Sequence, residues 1–160
     1  MAGESPKNLT LVCIDASEHS KRALEWYFNT IHQNGDDIGL VHVHNPPDFP
    51  VGMGLHAGEL LASDLYQEAV KQSLAATEAV VEKYKKACED RGVTPKVFKE
   101  SVQDSIGNTI CEIAKKCEAT LIVIGQRGLG AIRRTLFGSV SDYVLHHTHI
   151  PVVVVPPAES

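Results

Sequence analysis

No stretch of the 160 residues is apolar for long enough to cross a bilayer, and the opening "MAGESPKNLT" lacks the apolar core of a secretory signal. The expectation is a cytoplasmic protein, the nucleus not excluded, with no membrane partner. Basic charge is also short: 15 Lys and Arg face 20 Asp and Glu, a formal net charge of −5. Gripping a nucleic-acid backbone requires a basic face, so no nucleic-acid partner is expected and any phosphate must be held locally. Cys13, Cys88, Cys111 and Cys117 include no CxxC pair, which fits reduced thiols better than a disulfide frame or a zinc site. His42 with His44, and His146 with His147 and His149, form two small groups, but neither brings the acidic or cysteine partners of a metal site, and no metal is expected. Two phosphate signatures are missing as well. There is no G-x-x-x-x-G-K-[ST], and no G-x-G-x-x-G follows the first apolar run.

What is present alternates. A length of 160 residues with 43% hydrophobic content is that of one ordinary domain with a core, and a single domain over 1–160 is expected. "LTLVCID" (Leu9 to Asp15) reads as a strand, and Ser17 can cap a helix carrying Ala23, Leu24, Tyr27, Phe28 and Ile31 that ends near Gly35. "IGLVHVH" (Ile38 to His44) is a second strand. The prolines and glycines of "NPPDFPVGMG" then force a loop. A long helix is predicted from about Leu60 to Cys88, with Gly92 placed to end it, followed by a weaker strand in "TPKVFKESV". Ile106, Ile110, Ile113 and Cys117 make one helical stripe, and "TLIVIG" (Thr120 to Gly125) reads as a strand buried on both faces. Ser139 and Asp142 have helix-start spacing, and "PVVVV" (Pro151 to Val155) is a fifth strand. Strands separated by helices imply right-handed crossovers, hence an α/β fold with a parallel sheet covered on both faces. Ligands of such sheets sit beyond the carboxyl ends of strands, where the strand order reverses. Asp15 and Gly125 stand at two of those ends.

"GQRGLGAIRRTLFGS" (Gly125 to Ser139) is the stretch that asks for a ligand. Gly125 and Gly128 can turn amides inward after a strand, and Gly138-Ser139 opens a helix whose amides and positive dipole end suit an anion. Two separated donor clusters imply a polyphosphate. The Ser139 hydroxyl either donates to that phosphate or caps the helix, and Arg133 and Arg134 either clamp phosphate or form solvated surface. Asp15 likewise either touches a ligand or charges the start of the first helix.

The pattern G-x2-G-x9-G-[ST], met by Gly125, Gly128, Gly138 and Ser139, together with Asp15 and the tail "GSVSDYVLHHTHIPVVVV", resembles the nucleotide-binding branch of the universal stress protein family. The resemblance runs from about Lys7 to Pro156. It implies an open, Rossmann-like sheet of strand order 3-2-1-4-5, a site for ATP or AMP at its carboxyl edge, and a homodimer. By that resemblance Asp15 touches the nucleoside, and the backbone near Cys13 and Val43 faces adenine. Gly125, Gln126, Arg127 and Gly128 run under ribose and phosphates, and Gly138, Ser139, Val140 and Ser141 receive the phosphates. Two positions depart from the family pattern: Ala16 follows the aspartate where glycine is frequent, and Cys13 has no side-chain role to inherit.

Phosphoryl transfer asks for a lysine on the phosphates, an acidic metal ligand and a base, and the glycine-rich loop offers backbone donors and arginines without that lysine. Three readings follow. The first is an ATP-sensing or ATP-storing module with an unknown client protein. The second is a slow ATPase or nucleotidyl transferase, with Mg2+ bridging Asp15 and phosphate. The third is a dimeric interaction protein whose pocket is a relic. Val152, Val153, Val154 and Val155 would form an edge strand without a charged blocker, which a two-fold copy of the chain would cover. The loop from Asn45 to Gly54 is expected to act as a lid.

Overall fold

The computed structural model describes residues 8–48, 58–59, 63–126 and 138–158. Strands β1 (Leu9–Cys13), β2 (Asp37–His44), β3 (Lys96–Ser101), β4 (Leu121–Gly125) and β5 (Val152–Val155) alternate with helices α1 (Glu18–Thr30), α2 (Asp64–Glu89), α3 (Ile106–Lys116) and α4 (Ser139–His147). All strand pairs are parallel, and the five-stranded sheet has the order β3-β2-β1-β4-β5. In the centre Val12 lies between Leu40 of β2 and Val123 of β4.

Period-two alternation sends the strand side chains into two apolar layers. Val12, Leu40 and Val123 face Ala23, Leu24 and Tyr27 of α1 and Val81, Tyr84 and Cys88 of α2. Leu11, Val41, Ile122 and Ile124 face Ile110, Ile113 and Ala114 of α3 and Val144 of α4. Leu11 and Ile122 are fully buried, and burying each side chain contributes about 1.5–3 kcal/mol.

Serines set the starts of α1, α2 and α3. Ser17, Ser63 and Ser105 each accept an amide from three residues on, at the heads of α1, α2 and α3. Gly92, just past α2, has φ +76°, a left-handed conformation that suits glycine. β1 stops at Cys13, two residues short of the expected Asp15. The reason is that Oδ1 of Asp15 takes the Ser17 amide at 2.8 Å, which turns the chain into α1. The long helix is seen from Asp64. Asn45 to Asp48 leave β2 without regular structure, and the rest of the expected lid, 49–54, lies outside the described residues. Arg127, Gly128, Arg133 and Arg134 lie outside them too.

From β1 the chain builds β2 and β3 to one side, then crosses to place β4 and β5 on the other. The order therefore reverses between β1 and β4, and their carboxyl ends splay open a crevice there.

Candidate functional site

A cleft of about 190 Å³ occupies that crevice. A cavity of about 150 Å³ accepts one benzene ring, so there is room for a larger flat group. Cys13, Ile14 and Asp15 come from the end of β1, Val41 and Val43 from β2, and Ile124 and Gly125 from the end of β4. Ile106 and Ile110 of α3 close one side, and Gly138, Ser139 and Val140 at the head of α4 close another. The cleft thus has an apolar slot, a carboxylate end, and a helix N-terminus.

The carboxylate end is built by the first turn of α1. Oδ1 of Asp15 accepts the Ser17 amide at 2.8 Å, the Ser17 hydroxyl, and the Ser20 hydroxyl at 2.9 Å. The Asp15 amide donates to Ser20 Oγ at 3.1 Å, and that oxygen lies 2.7 Å from the Tyr84 hydroxyl of α2. The carboxylate shapes the start of α1, as one of the two expectations for Asp15 has it, and it also lines the cleft.

The helix-terminus end is more open. Gly138 precedes α4 with φ −58° and ψ 149°, and no side chain caps the helix. Ser139 is the first helical residue rather than the cap, and its side chain is exposed. The first intrahelical bond runs from the Asp142 amide to the Gly138 carbonyl, so the amides of Ser139, Val140 and Ser141 have no partner within the helix. Ser141 is buried, and its hydroxyl donates to the Gly138 carbonyl at 2.9 Å, so its side chain does not reach the cleft. Gln126 is outside the lining as well. Its amide donates to the Val155 carbonyl, and its own carbonyl accepts from Arg22.

Two of the loop glycines have different reasons to be glycine. A Cβ at Gly125 would lie 2.6 Å from the His19 carbonyl carbon, so the bare backbone there lets β4 approach α1. Among the described residues a Cβ at Gly138 would meet nothing nearer than Ser141 Oγ at 3.8 Å, and its φ suits any residue. Among the described residues nothing requires glycine at 138.

Residues 10–156 match the model of the universal stress protein family. The chain belongs to that family. A universal stress protein of Methanocaldococcus jannaschii is 30% identical over 153 residues, 96% of this chain and 84% of that one. Among solved structures, a universal stress family protein of Arabidopsis thaliana with AMP bound superposes with a TM-score of 0.68 at 21% identity, covering 94% of this chain and 92% of that one. Another universal stress protein, in complex with cAMP, superposes at 0.63 with 22% identity over 94% of this chain and 98% of that one. At those identities the two structures speak to the fold.

In this universal stress protein the expected residues Cys13, Asp15, Val43, Gly125, Gly138, Ser139 and Val140 come together around one cleft. Ser17, Ser20, Val41, Ile106 and Ile110 join them without having been singled out for the site. The two isoleucines were visible only as an apolar helical stripe, which reads equally well as core. Burial, with Cys111 and Asp15 adding, pushes the Cys13 thiol up to about 12, so it lines the cleft as a neutral group and not as a nucleophile. All four cysteines are free thiols. His42 Nδ1 pairs with the Ile14 carbonyl at 2.9 Å and His44 Nε2 with Ser73 Oγ at 2.8 Å, and no group of three potential metal ligands occurs among the described residues. No helix of the described residues is long and apolar enough to cross a membrane.

Proposed function

We propose that the cleft binds an adenine nucleotide, ATP or AMP, and that the protein acts as a nucleotide-dependent module of a stress response. Gly138 carries this reading. It is a bare backbone position in a cleft wall, required by none of the described residues, at the mouth of a helix whose first amides have no partner within the helix. A phosphate close against the main chain supplies the missing reason. Charge sets the direction of the ligand. A carboxylate repels phosphate and accepts from hydroxyls or amines, so the nucleoside belongs at Asp15, the base in the slot of Val41, Val43, Ile106 and Ile110, and the phosphates at Gly138 and Ser139. The AMP and cAMP carried by structures of the same fold support the same class of ligand.

Asp15 is the sole acidic residue of the described lining, so Mg2+ would arrive with the phosphates and not in a cage of the protein's own. No lysine lines the described cleft, and Asp15 is held as an acceptor by three donors. That arrangement supports a reading of binding without efficient turnover, with slow hydrolysis as the alternative. A homodimer through β5 and a client protein that reads nucleotide occupancy complete the proposal.

The test is to denature the freshly purified protein, identify any released nucleotide by mass spectrometry, and titrate ATP and AMP, with and without Mg2+, into wild type and Gly138→Val. Adenine nucleotide bound by wild type and weakened at least tenfold in the folded variant is the expected result. A wild type that binds neither nucleotide would make the cleft a relic. Steady release of inorganic phosphate, lost in Asp15→Ala, would favour the hydrolase.

A further inference from the structure

A helix far away in sequence reaches the neighbourhood of the Asp15 carboxylate. Tyr84, on α2, is only 2% exposed, yet its hydroxyl reaches across to the polar end of the cleft and stands 2.7 Å from Ser20 Oγ. Its other acceptor is the Ser17 carbonyl, at a longer 3.4 Å. Ser20 is itself 5% exposed and has one proton to give, with Asp15 Oδ1 at 2.9 Å, the Asp15 carbonyl at 2.9 Å and the Ser17 carbonyl at 3.1 Å within reach. If Ser20 donated to Tyr84, Asp15 would lose one of its three donors. If Tyr84 donates to Ser20, the serine proton turns toward Asp15.

We propose that Tyr84 is a positioning residue for the nucleotide: its hydroxyl donates to Ser20, which directs the Ser20 proton onto Asp15 Oδ1 and fixes the carboxylate that meets the nucleoside. The inference rests on the nucleotide-binding reading above and adds to it a residue that does not line the cleft. Geometry favours this direction of donation: the Tyr84 hydroxyl lies nearer to Ser20 Oγ, at 2.7 Å, than to its other acceptor, the Ser17 carbonyl, at 3.4 Å. Burial raises the Tyr84 pKa, so the phenol keeps a proton to give. The Asp15 amide already donates to Ser20 Oγ, so the serine oxygen is an acceptor on one side and is polarised further by a second donor. The chain Tyr84, Ser20, Asp15 then runs donor to acceptor throughout and ends on the one charged group. Because the phenol ring packs in the core beside Leu24 and Val81, its place is set by packing, and the hydroxyl is held independently of any ligand.

The experiment is a double-mutant cycle read by calorimetric titration of ATP into wild type, Tyr84→Phe, Ser20→Ala and the double variant, with thermal melts of all four. Each single variant is expected to weaken ATP binding about three- to tenfold, and the double variant no more than the worse single, because both act on the same proton. Tyr84→Phe keeps the ring, and its melt separates a folding defect from a binding one. Wild-type affinity in Tyr84→Phe would overturn the inference, as would losses that multiply in the double variant. Those outcomes leave the nucleotide site standing, whereas a wild type that binds no ATP overturns the functional reading and this inference together.

Discussion

At the scale of single residues, substitutions at Gly125 and Gly138 should separate folding from the proposed binding. Gly125→Ala drives a methyl into the His19 carbonyl and should cost about 1–3 kcal/mol of stability by urea denaturation, as overpacking does. Gly138→Ala should cost no more than about 1 kcal/mol, the loss of a glycine N-cap, since among the described residues its Cβ has room, and should weaken nucleotide binding. Equal stability losses in the two variants would remove the special place given to Gly138. Cys13 supplies a pH dependence. Its thiol ionises near 9.0 when unfolded and at about 12 when folded, so the neutral form is favoured by folding. That contribution is fully present below pH 9.0 and is lost as the pH rises toward about 12. Cys88, raised to about 11 by burial, and Tyr27, raised from 10.0 to about 12 by burial, act in the same direction. Stability measured by denaturation should therefore fall steadily above pH 9, and Cys13→Ala should make the fall shallower. A flat profile between pH 8 and 10 would contradict the burial of these groups.

Between elements, the cleft depends on how closely α3 and α4 approach. Gly107 of α3 would, with a Cβ, meet Tyr143 Cδ1 of α4 at 2.7 Å, so that glycine sets the distance between the two helices. α3 carries Ile106 and Ile110 into the slot and α4 carries Ser139 and Val140 to its mouth. Gly107→Ala should cost about 1–3 kcal/mol and also weaken nucleotide binding, by moving one wall against the other. Loss of stability with unchanged affinity would show that Tyr143 yields without disturbing the cleft. On the other face, Arg22 of α1 ties down the ends of β4 and β5 by donating to the Pro156 carbonyl at 2.8 Å and the Gln126 carbonyl at 3.4 Å. The end of β4 that carries Gly125 is thereby held to α1 from two sides.

For the whole molecule, β5 is the end strand of the sheet, and no strand flanks its outer side among the described residues. The Ile122 amide donates to the Pro151 carbonyl and the Gln126 amide to the Val155 carbonyl, so by parallel-sheet period Val153 also bonds inward, while Val152 and Val154 turn their main-chain groups outward. Val154→Pro removes an outward amide and leaves the ladder to β4 intact. It should convert the homodimer proposed above to monomer in sedimentation, with stability reduced by less than about 1 kcal/mol. A dimer that persists would take β5 out of the interface.

The alternation of strands and helices was legible because most elements carry a local period or a local stop: Ser17 caps, Gly92 ends α2, and "TLIVIG" has the unbroken apolarity of a strand covered on both faces. Asp15, Gly125, Gly138 and Ser139 were legible for the site because they stand at strand ends or helix starts, where short-range patterns are readable. Ile106 and Ile110 were not. A helical stripe says that one face is buried, and only the packing of α3 against α4 and β2 decides that part of that face borders a cleft. Ser141 shows the converse: its position at a helix start suits a phosphate, but its hydroxyl turns back to Gly138. Tyr84 lies 64 residues from Ser20, and no period links them. Local chemistry therefore fixed which elements form and where each begins, since those depend on neighbours a turn or two away. The partner of each exposed proton, the reason for each glycine and the walls of the cleft were decided by contacts between distant segments, which exist only once the sheet is assembled.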